Sequence, residues 1–150
     1  KIIAKKIGYK FIDTDKEIEK QEKMSIPEIV KKKNWFYFRK KEKYVVRHFA
    51  KKSETVIGTG GGVILDNENV KSLKKHGKVV FLECDLDELE ARISNSKNRP
   101  PLTNKKSLKE ELQTLWTKRK DKYLSSADYK FYTNTDQSLD EKAENIIMNL

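Results

Sequence analysis

Four short apolar runs rich in β-forming residues punctuate this chain: Phe11-Ile12, Thr55 to Gly58, Lys78 to Cys84 and Tyr129 to Thr133. Stretches with helical periodicity separate them. Strands that alternate with helices are most readily laid side by side as βα units, so the pattern predicts an α/β fold around a parallel sheet. The helix starts are marked. Ser25-x-x-Glu28, with Pro27 in the first turn, reads as a capping box, and Asp85-x-x-Glu88, Ser107-x-x-Glu110 and Ser138-x-x-Glu141 repeat the device. Gly8 and Gly77 follow helical stretches, where a residue just past a helix end is often glycine.

Two segments depart from simple alternation. Residues 15–52 hold back-to-back helices between the first two strands, a helical insert. Residues 95–106 are polar and carry Pro100-Pro101 in their middle, which breaks helix and reads as a loop of lid length. There is no internal repeat and no linker, so the 150 residues are expected to form one domain.

The charge balance narrows the partners. The formal net charge is +10, yet the lysine runs Lys31-Lys32-Lys33 and Lys40-Lys41 lie in helical segments partly offset by glutamate. No zinc-finger spacing and no aromatic interleaving of the RNA-recognition kind appears, so no specific nucleic acid is expected. A positive field does suit small anionic substrates. No run approaches the length of a membrane span and no secretory signal opens the chain. Cys84 is the single cysteine and has no intrachain partner for a disulfide. A cytoplasmic monomer without membrane contact is the expectation. Among the 33 basic residues only Arg39, Arg47, Arg92, Arg99 and Arg119 are arginine. Guanidinium grips carboxylate and phosphate with two parallel hydrogen bonds, whereas ammonium acts as a point charge. The arginines are therefore the basic residues to follow.

Four constellations carry chemistry. Thr59-Gly60-Gly61-Gly62 follows directly on a strand. One glycine would serve an ordinary strand-to-helix turn. Three in a row, at the strand end where ligands sit in open parallel sheets, point to close approach of backbone to a ligand. Asp13-Thr14-Asp15 closes another strand. Its two carboxylates could share a divalent cation and a substrate hydroxyl, or Thr14 or Asp15 could cap the helix that follows with Glu17 completing a box. Arg39 and Glu42 are three apart on a helix of the insert, close enough for the carboxylate to fix the guanidinium or to form a surface ion pair of little worth. Arg92 and Arg99 flank the start of the proline loop, and Arg119 and Tyr123 share one face of the helix beyond it. Arginines on and beside a lid are what a phosphoryl-transfer site needs.

In order along the chain, Gly8-Tyr-Lys-Phe-Ile-Asp-Thr-Asp15, Met24-Ser-Ile-Pro-Glu-Ile29, Phe38-Arg39-x-x-Glu42, Thr59-Gly-Gly-Gly62, Asn98-Arg99-Pro100 and Arg119-x-x-x-Tyr123 resemble shikimate kinase, a small nucleoside-monophosphate-kinase-like enzyme. The resemblance implies a three-layer α/β/α fold with a parallel sheet in the order 2-3-1-4-5. It implies transfer of the γ-phosphate of ATP to the 3-hydroxyl of shikimate, in aromatic amino acid biosynthesis. The residue matching Asp13 would help hold Mg²⁺ through water, and Asp15 would bind the reacting hydroxyl and take its proton. Arg39 and Arg119 would bind the shikimate carboxylate, with Glu42 orienting Arg39 and Gly60, Gly61 and Gly62 lining the pocket. Arg99 would reach the phosphates and Arg92 would stack on adenine.

The chain departs from the family pattern chiefly at its start. No Gly-x-x-x-x-Gly-Lys-Ser/Thr phosphate loop occurs in these 150 residues, and Lys1-Ile-Ile-Ala-Lys-Lys-Ile-Gly8 looks like the tail of the helix that should follow one. The chain thus reads as a kinase domain incomplete at its N-terminus, lacking the central strand of the sheet. The loop reads Arg-Pro-Pro-Leu where relatives commonly have Arg-Pro-Leu, and Val30 stands where many carry an aromatic wall. Two other readings fit the same residues: a gluconate-type small-molecule kinase, and a non-catalytic acid-binding fragment.

Overall fold

The structure, a computed structural model, describes residues 1–94, 102 and 107–150. In chain order the elements are α1 (Ile2–Lys6), β1 (Lys10–Asp13), α2 (Thr14–Glu22), α3 (Ile26–Phe49), β2 (Thr55–Gly58), a 3-10 turn at Val63–Leu65, α4 (Asn67–Lys74), β3 (Val80–Glu83), α5 (Leu86–Ser94), α6 (Leu108–Ser126), β4 (Tyr129–Tyr132) and α7 (Leu139–Met148). All four expected strands are present, and the helical insert occupies α2 and α3.

The strands form two parallel pairs. β1 runs beside β2 with Lys10 opposite Thr55 and Asp13 opposite Gly58. β3 runs beside β4 with Val80 opposite Tyr129 and Glu83 opposite Tyr132. No ladder joins one pair to the other among the described residues. This is a mixed α/β architecture in which the parallel registers come from crossovers that carry helices. Each crossover carries two helices: α2 and α3 lie between β1 and β2, and α5 and α6 lie between β3 and β4.

The helix termini follow local rules with two corrections. Ser25 and Glu28 make the capping box of α3, the Ser25 N–H donating to Glu28 Oε2 at 2.8 Å. Ser138 and Glu141 do the same for α7. Asp85, in contrast, turns its carboxylate to β4 and its exit, accepting from Tyr132 Oη at 2.8 Å and Asn134 Nδ2 at 3.1 Å. Gly77 does not close α4, which ends at Lys74 with Lys75 as its cap in ordinary right-handed geometry. Gly8 does adopt the left-handed φ expected after α1, at +72°.

Two clusters of buried apolar side chains stand out among the described residues. Ile18, Ile29, Phe38 and Val45 bring α2 and α3 together, with Met24, Val30, Trp35 and Phe49 packed around them. Val46, Val63 and Ile64 form the second, covered by Val70, Leu73 and Tyr123. Each fully buried Ile, Val or Phe contributes roughly 1.5–3 kcal/mol. The apolar stripe of α3 runs Phe38, Val45, Val46 and Phe49, and Glu42 lies within it. That carboxylate is almost wholly buried, at 1% exposure. No helix among the described residues is long and apolar enough to cross a membrane.

Candidate active site

The glycine turn after β2 is the centre on which the predicted residues converge. Each glycine faces a different side chain. A Cβ on Gly60 would lie 3.1 Å from Asp15 Oδ2, and one on Gly61 would lie 3.0 Å from Tyr123 Oη. On Gly62 a Cβ would overlap the Arg39 guanidinium, 2.6 Å from Cζ. A side chain at Gly62 would collide with the guanidinium, and one at Gly60 or Gly61 would crowd Asp15 or Tyr123, so the glycines answer to three functional groups and not to a left-handed backbone. Gly62 is buried, and none of the three takes a positive φ. The carbonyls of Gly60 and Gly62 accept from Val63 and Leu65 within the turn, at 3.1 and 3.0 Å. The Gly61 carbonyl accepts from Tyr123 Oη at 2.7 Å.

Asp15 comes to the turn from α2. The sequence left open whether it follows Asp13 on extended chain or caps the helix. The structure gives neither: Asp13 is the cap, its Oδ1 accepting from Asp15 N and Lys16 N at 3.1 Å, and Asp15 stands in the first helical turn. Thr14 does not cap either; it is fully buried. Asp15 Oδ1 is buried with no hydrogen-bond partner among the described residues. Burial pushes the Asp15 carboxyl above the ordinary carboxylate range, the Asp13 charge adds to this, and Arg39 opposes it. A buried, unpartnered oxygen on a carboxyl of raised proton affinity is a ready acceptor for a hydroxyl proton.

Arg39 comes to the turn from α3. Its Nη1 donates to both oxygens of Glu42 at 2.7 Å. Because Glu42 is buried, this is a fixed anchor rather than a solvated surface pair. Burial raises the Glu42 proton affinity, and the Arg39 charge acts against that rise. The guanidinium also lies over the rings of Trp35 and Phe38, 5.4 and 5.1 Å from their centroids. Held on two sides, the guanidinium is directed toward Gly62.

Arg119 is half-buried on α6, one helical turn before Tyr123, so that it shares the face whose tyrosine reaches the glycine turn. Arg92, at the end of α5, donates from Nε to Glu88 at 2.8 Å and from Nη1 to Thr133 Oγ1 at 3.4 Å, which ties it beside the end of β4. Arg99 lies outside the described residues, as does the rest of the lid loop apart from Leu102, whose N–H donates to Glu111 at 3.0 Å. Among the described residues no group of three or more His, Cys, Asp or Glu gathers as a metal cluster. Arg47 lines a separate cavity of about 330 Å³ with Lys51, Lys75 and His76, between the C-terminal turns of α3 and α4. Cations there complement the carbonyl ends of the two helices.

The sequence pointed to most of this cluster but missed how Tyr123 enters it. Tyr123 was legible only as a helical neighbour of Arg119. It also missed the break in α3, where Asn34 takes φ 67° and ψ 171°.

A family model described as shikimate kinase matches residues 1–150, the whole chain. The chain belongs to the shikimate kinase family. A shikimate kinase of Pelotomaculum thermopropionicum is 38% identical over 145 residues, covering 97% of this chain and 83% of the relative. One from Persephonella marina is 36% identical over 133 residues, covering 89% of this chain and 79% of the relative. Among solved structures, a shikimate kinase from Acinetobacter baumannii in complex with shikimate superposes with a TM-score of 0.92 at 30% identity, over 99% of this chain and 82% of that one. As a shikimate kinase family member the chain is a transferase of the ATP-dependent kinase class.

Proposed function

We propose that the glycine-turn pocket takes shikimate, with its carboxylate held by Arg39 and Arg119 and its 3-hydroxyl at Asp15. The observation that carries this reading is the convergence of Asp15, Arg39 and Tyr123 on three successive glycines. A small anionic polyol needs a guanidinium fork at its acid end and a proton acceptor at the hydroxyl that reacts. Asp15 and Arg39 supply the two from different helices, with the glycine turn between them. The shikimate bound to the Acinetobacter baumannii relative is in keeping with this substrate.

The reaction follows from those positions. The 3-hydroxyl oxygen attacks the γ-phosphorus of ATP, its proton passes to an Asp15 oxygen, and ADP leaves as shikimate 3-phosphate forms. The raised proton affinity of Asp15 makes it a better acceptor than a solvated aspartate. Most of the rate acceleration comes from positioning and charge neutralisation. Arg92, tied by Glu88 and Thr133, would lie against adenine, and Arg99 would meet the phosphates. Asp13 has an Oδ2 that carries no hydrogen bond among the described residues, which fits a role in holding hydrated Mg²⁺. That ion, when bound, would neutralise phosphate charge. The working form is read as a monomer in the cytoplasm, with Cys84 half-buried and reduced.

A coupled ADP-release assay on the full-length protein, with shikimate and then gluconate as acceptor, tests the proposal. Shikimate-dependent release of ADP is expected. Turnover with gluconate alone would move the substrate assignment to the other polyol acid, and turnover with neither would reject it.

A further inference from the structure

We propose that Tyr123 is a positioning residue: by holding the Gly61 carbonyl, its hydroxyl sets the direction of the Gly62 N–H beside Arg39 and so governs substrate binding. The proposal rests on the reading that the glycine turn lines the shikimate pocket.

In a trans peptide the C=O and the following N–H point in opposite directions. No cis peptide occurs among the described residues. The Gly60 and Gly62 carbonyls are fixed locally, by the amides of Val63 and Leu65. The Gly61 carbonyl is fixed from another element, by Tyr123 Oη at 2.7 Å. Whatever holds that carbonyl also aims the N–H of Gly62. The amides of Gly60, Gly61 and Gly62 have no acceptor among the described residues. Three glycines with their carbonyls engaged and their amides unengaged form a donor surface. A Cβ on Gly62 would meet the Arg39 guanidinium, which places that residue beside Arg39. An anionic group seated on Arg39 would meet the Gly62 N–H as well, provided that the peptide keeps this orientation.

Glycine peptides rotate easily, so the orientation needs a rigid holder. Tyr123 is one. Its ring stacks on Phe81 at 5.1 Å between centroids and 4° between planes, with Trp116 at 6.4 Å and 19°. It packs on Val46, Val63 and Ile64. One turn earlier on the same helical face stands Arg119, so the hydroxyl also ties the turn to the element that carries the second guanidinium.

Tyr123→Phe keeps the ring, the stack and the packing and removes only the hydroxyl. In the full-length enzyme it is expected to raise the KM and Kd for shikimate about five- to tenfold, the worth of one hydrogen bond. The kcat, the KM for ATP and the Tm are expected to stay close to wild type. Arg39→Lys is measured beside it. If Arg39→Lys weakens shikimate binding and Tyr123→Phe does not, the pocket reading stands and the Tyr123 role is overturned. If neither variant moves shikimate binding, the pocket reading falls and the Tyr123 role with it. A Tyr123→Phe enzyme that loses affinity for both substrates together with Tm marks a merely structural residue and also overturns it. So does a fall in kcat at unchanged KM.

Discussion

At the scale of single residues, this site is built by what is absent from three positions. Gly60, Gly61 and Gly62 keep their places because Asp15, Tyr123 and Arg39 occupy the space a side chain would need. Gly62→Ala is the sharpest probe of that arrangement. Its methyl would displace a guanidinium that Glu42 holds from the other side. Charge-assisted hydrogen bonds of this kind are worth about 1.5–3 kcal/mol. The expected outcome is a shikimate Kd weakened by roughly 10- to 100-fold, with ATP affinity little changed, as read by calorimetry on the full-length protein. Equal losses for both ligands would show that Arg39 does not serve the acid. Which glycine meets which side chain was not legible in the sequence, because the partners come from α2, α3 and α6, three elements far apart along the chain.

At the scale of elements, the helical insert explains itself through Asn34 and Glu22. Asn34 sits at φ 67° and ψ 171°, a region that only glycine enters without strain, and its Oδ1 accepts from Tyr37 N at 3.1 Å to start the second half of α3. Asn34→Gly trades a modest cap for relief of that strain. It should stabilise the chain by about 1 kcal/mol in urea unfolding; destabilisation would mean that the cap outweighs the strain. Glu22, at the end of α2, accepts from Lys33 at 2.8 Å and Tyr37 Oη at 3.0 Å, and pairs with Lys41 at 2.7 Å. These donors hold its carboxyl down at about 2, against an ordinary 4.5. The native state therefore favours the charged form. The stabilisation is complete above about 4.5 and is lost as pH falls toward about 2. Asp15 and Glu42, with raised proton affinity, act in the opposite sense as pH falls. Glu22→Gln should lower stability at pH 7 and differ little from wild type near pH 2, as measured by urea unfolding across that range. A constant difference at all pH values would show that the carboxylate charge is not what joins α2 to α3.

At the scale of the whole molecule, no ladder joins the two strand pairs among the described residues, and side chains bridge them. The β1–β2 pair and the insert enclose most of the buried apolar residues, among them Ile18, Ile29, Phe38, Val45, Val46, Val63 and Ile64. The β3–β4 side has Leu112 and Phe131, and α5 has no buried residue. Tyr123 bridges the two, stacked on Phe81 of β3 and packed on Val46, Val63 and Ile64. The thinner half should open at lower free energy. The two tryptophans report on the halves separately, Trp35 from the insert and Trp116 from α6. In urea, Trp35→Phe, which leaves Trp116 as reporter, should show an earlier transition than Trp116→Phe. Coincident transitions would establish a single cooperative unit.

The four strands, the helical insert, the start of α3 at Ser25 and the family can all be read along the chain. Each of these rests on local chemistry, such as period, capping and ordered motifs, that a linear chain carries without folding. The sequence also names Asp15, Arg39, Glu42 and the three glycines. How these residues meet depends on folding. From its spacing Glu42 could either fix Arg39 or form a surface pair, and burial on the apolar stripe with Phe38, Val45 and Val46 makes it an anchor. The residues alone left it open whether Asp13 and Asp15 lie side by side or Thr14 or Asp15 caps the helix, and the start of α2 makes Asp13 the cap and leaves an Asp15 oxygen without a partner among the described residues. Tyr123 reads as a helix-face neighbour of Arg119, and only folding brings its hydroxyl to a carbonyl 62 residues away in sequence. Burial, helix phase at a strand end and contact between distant elements are properties of packing, and no spacing along the chain encodes them.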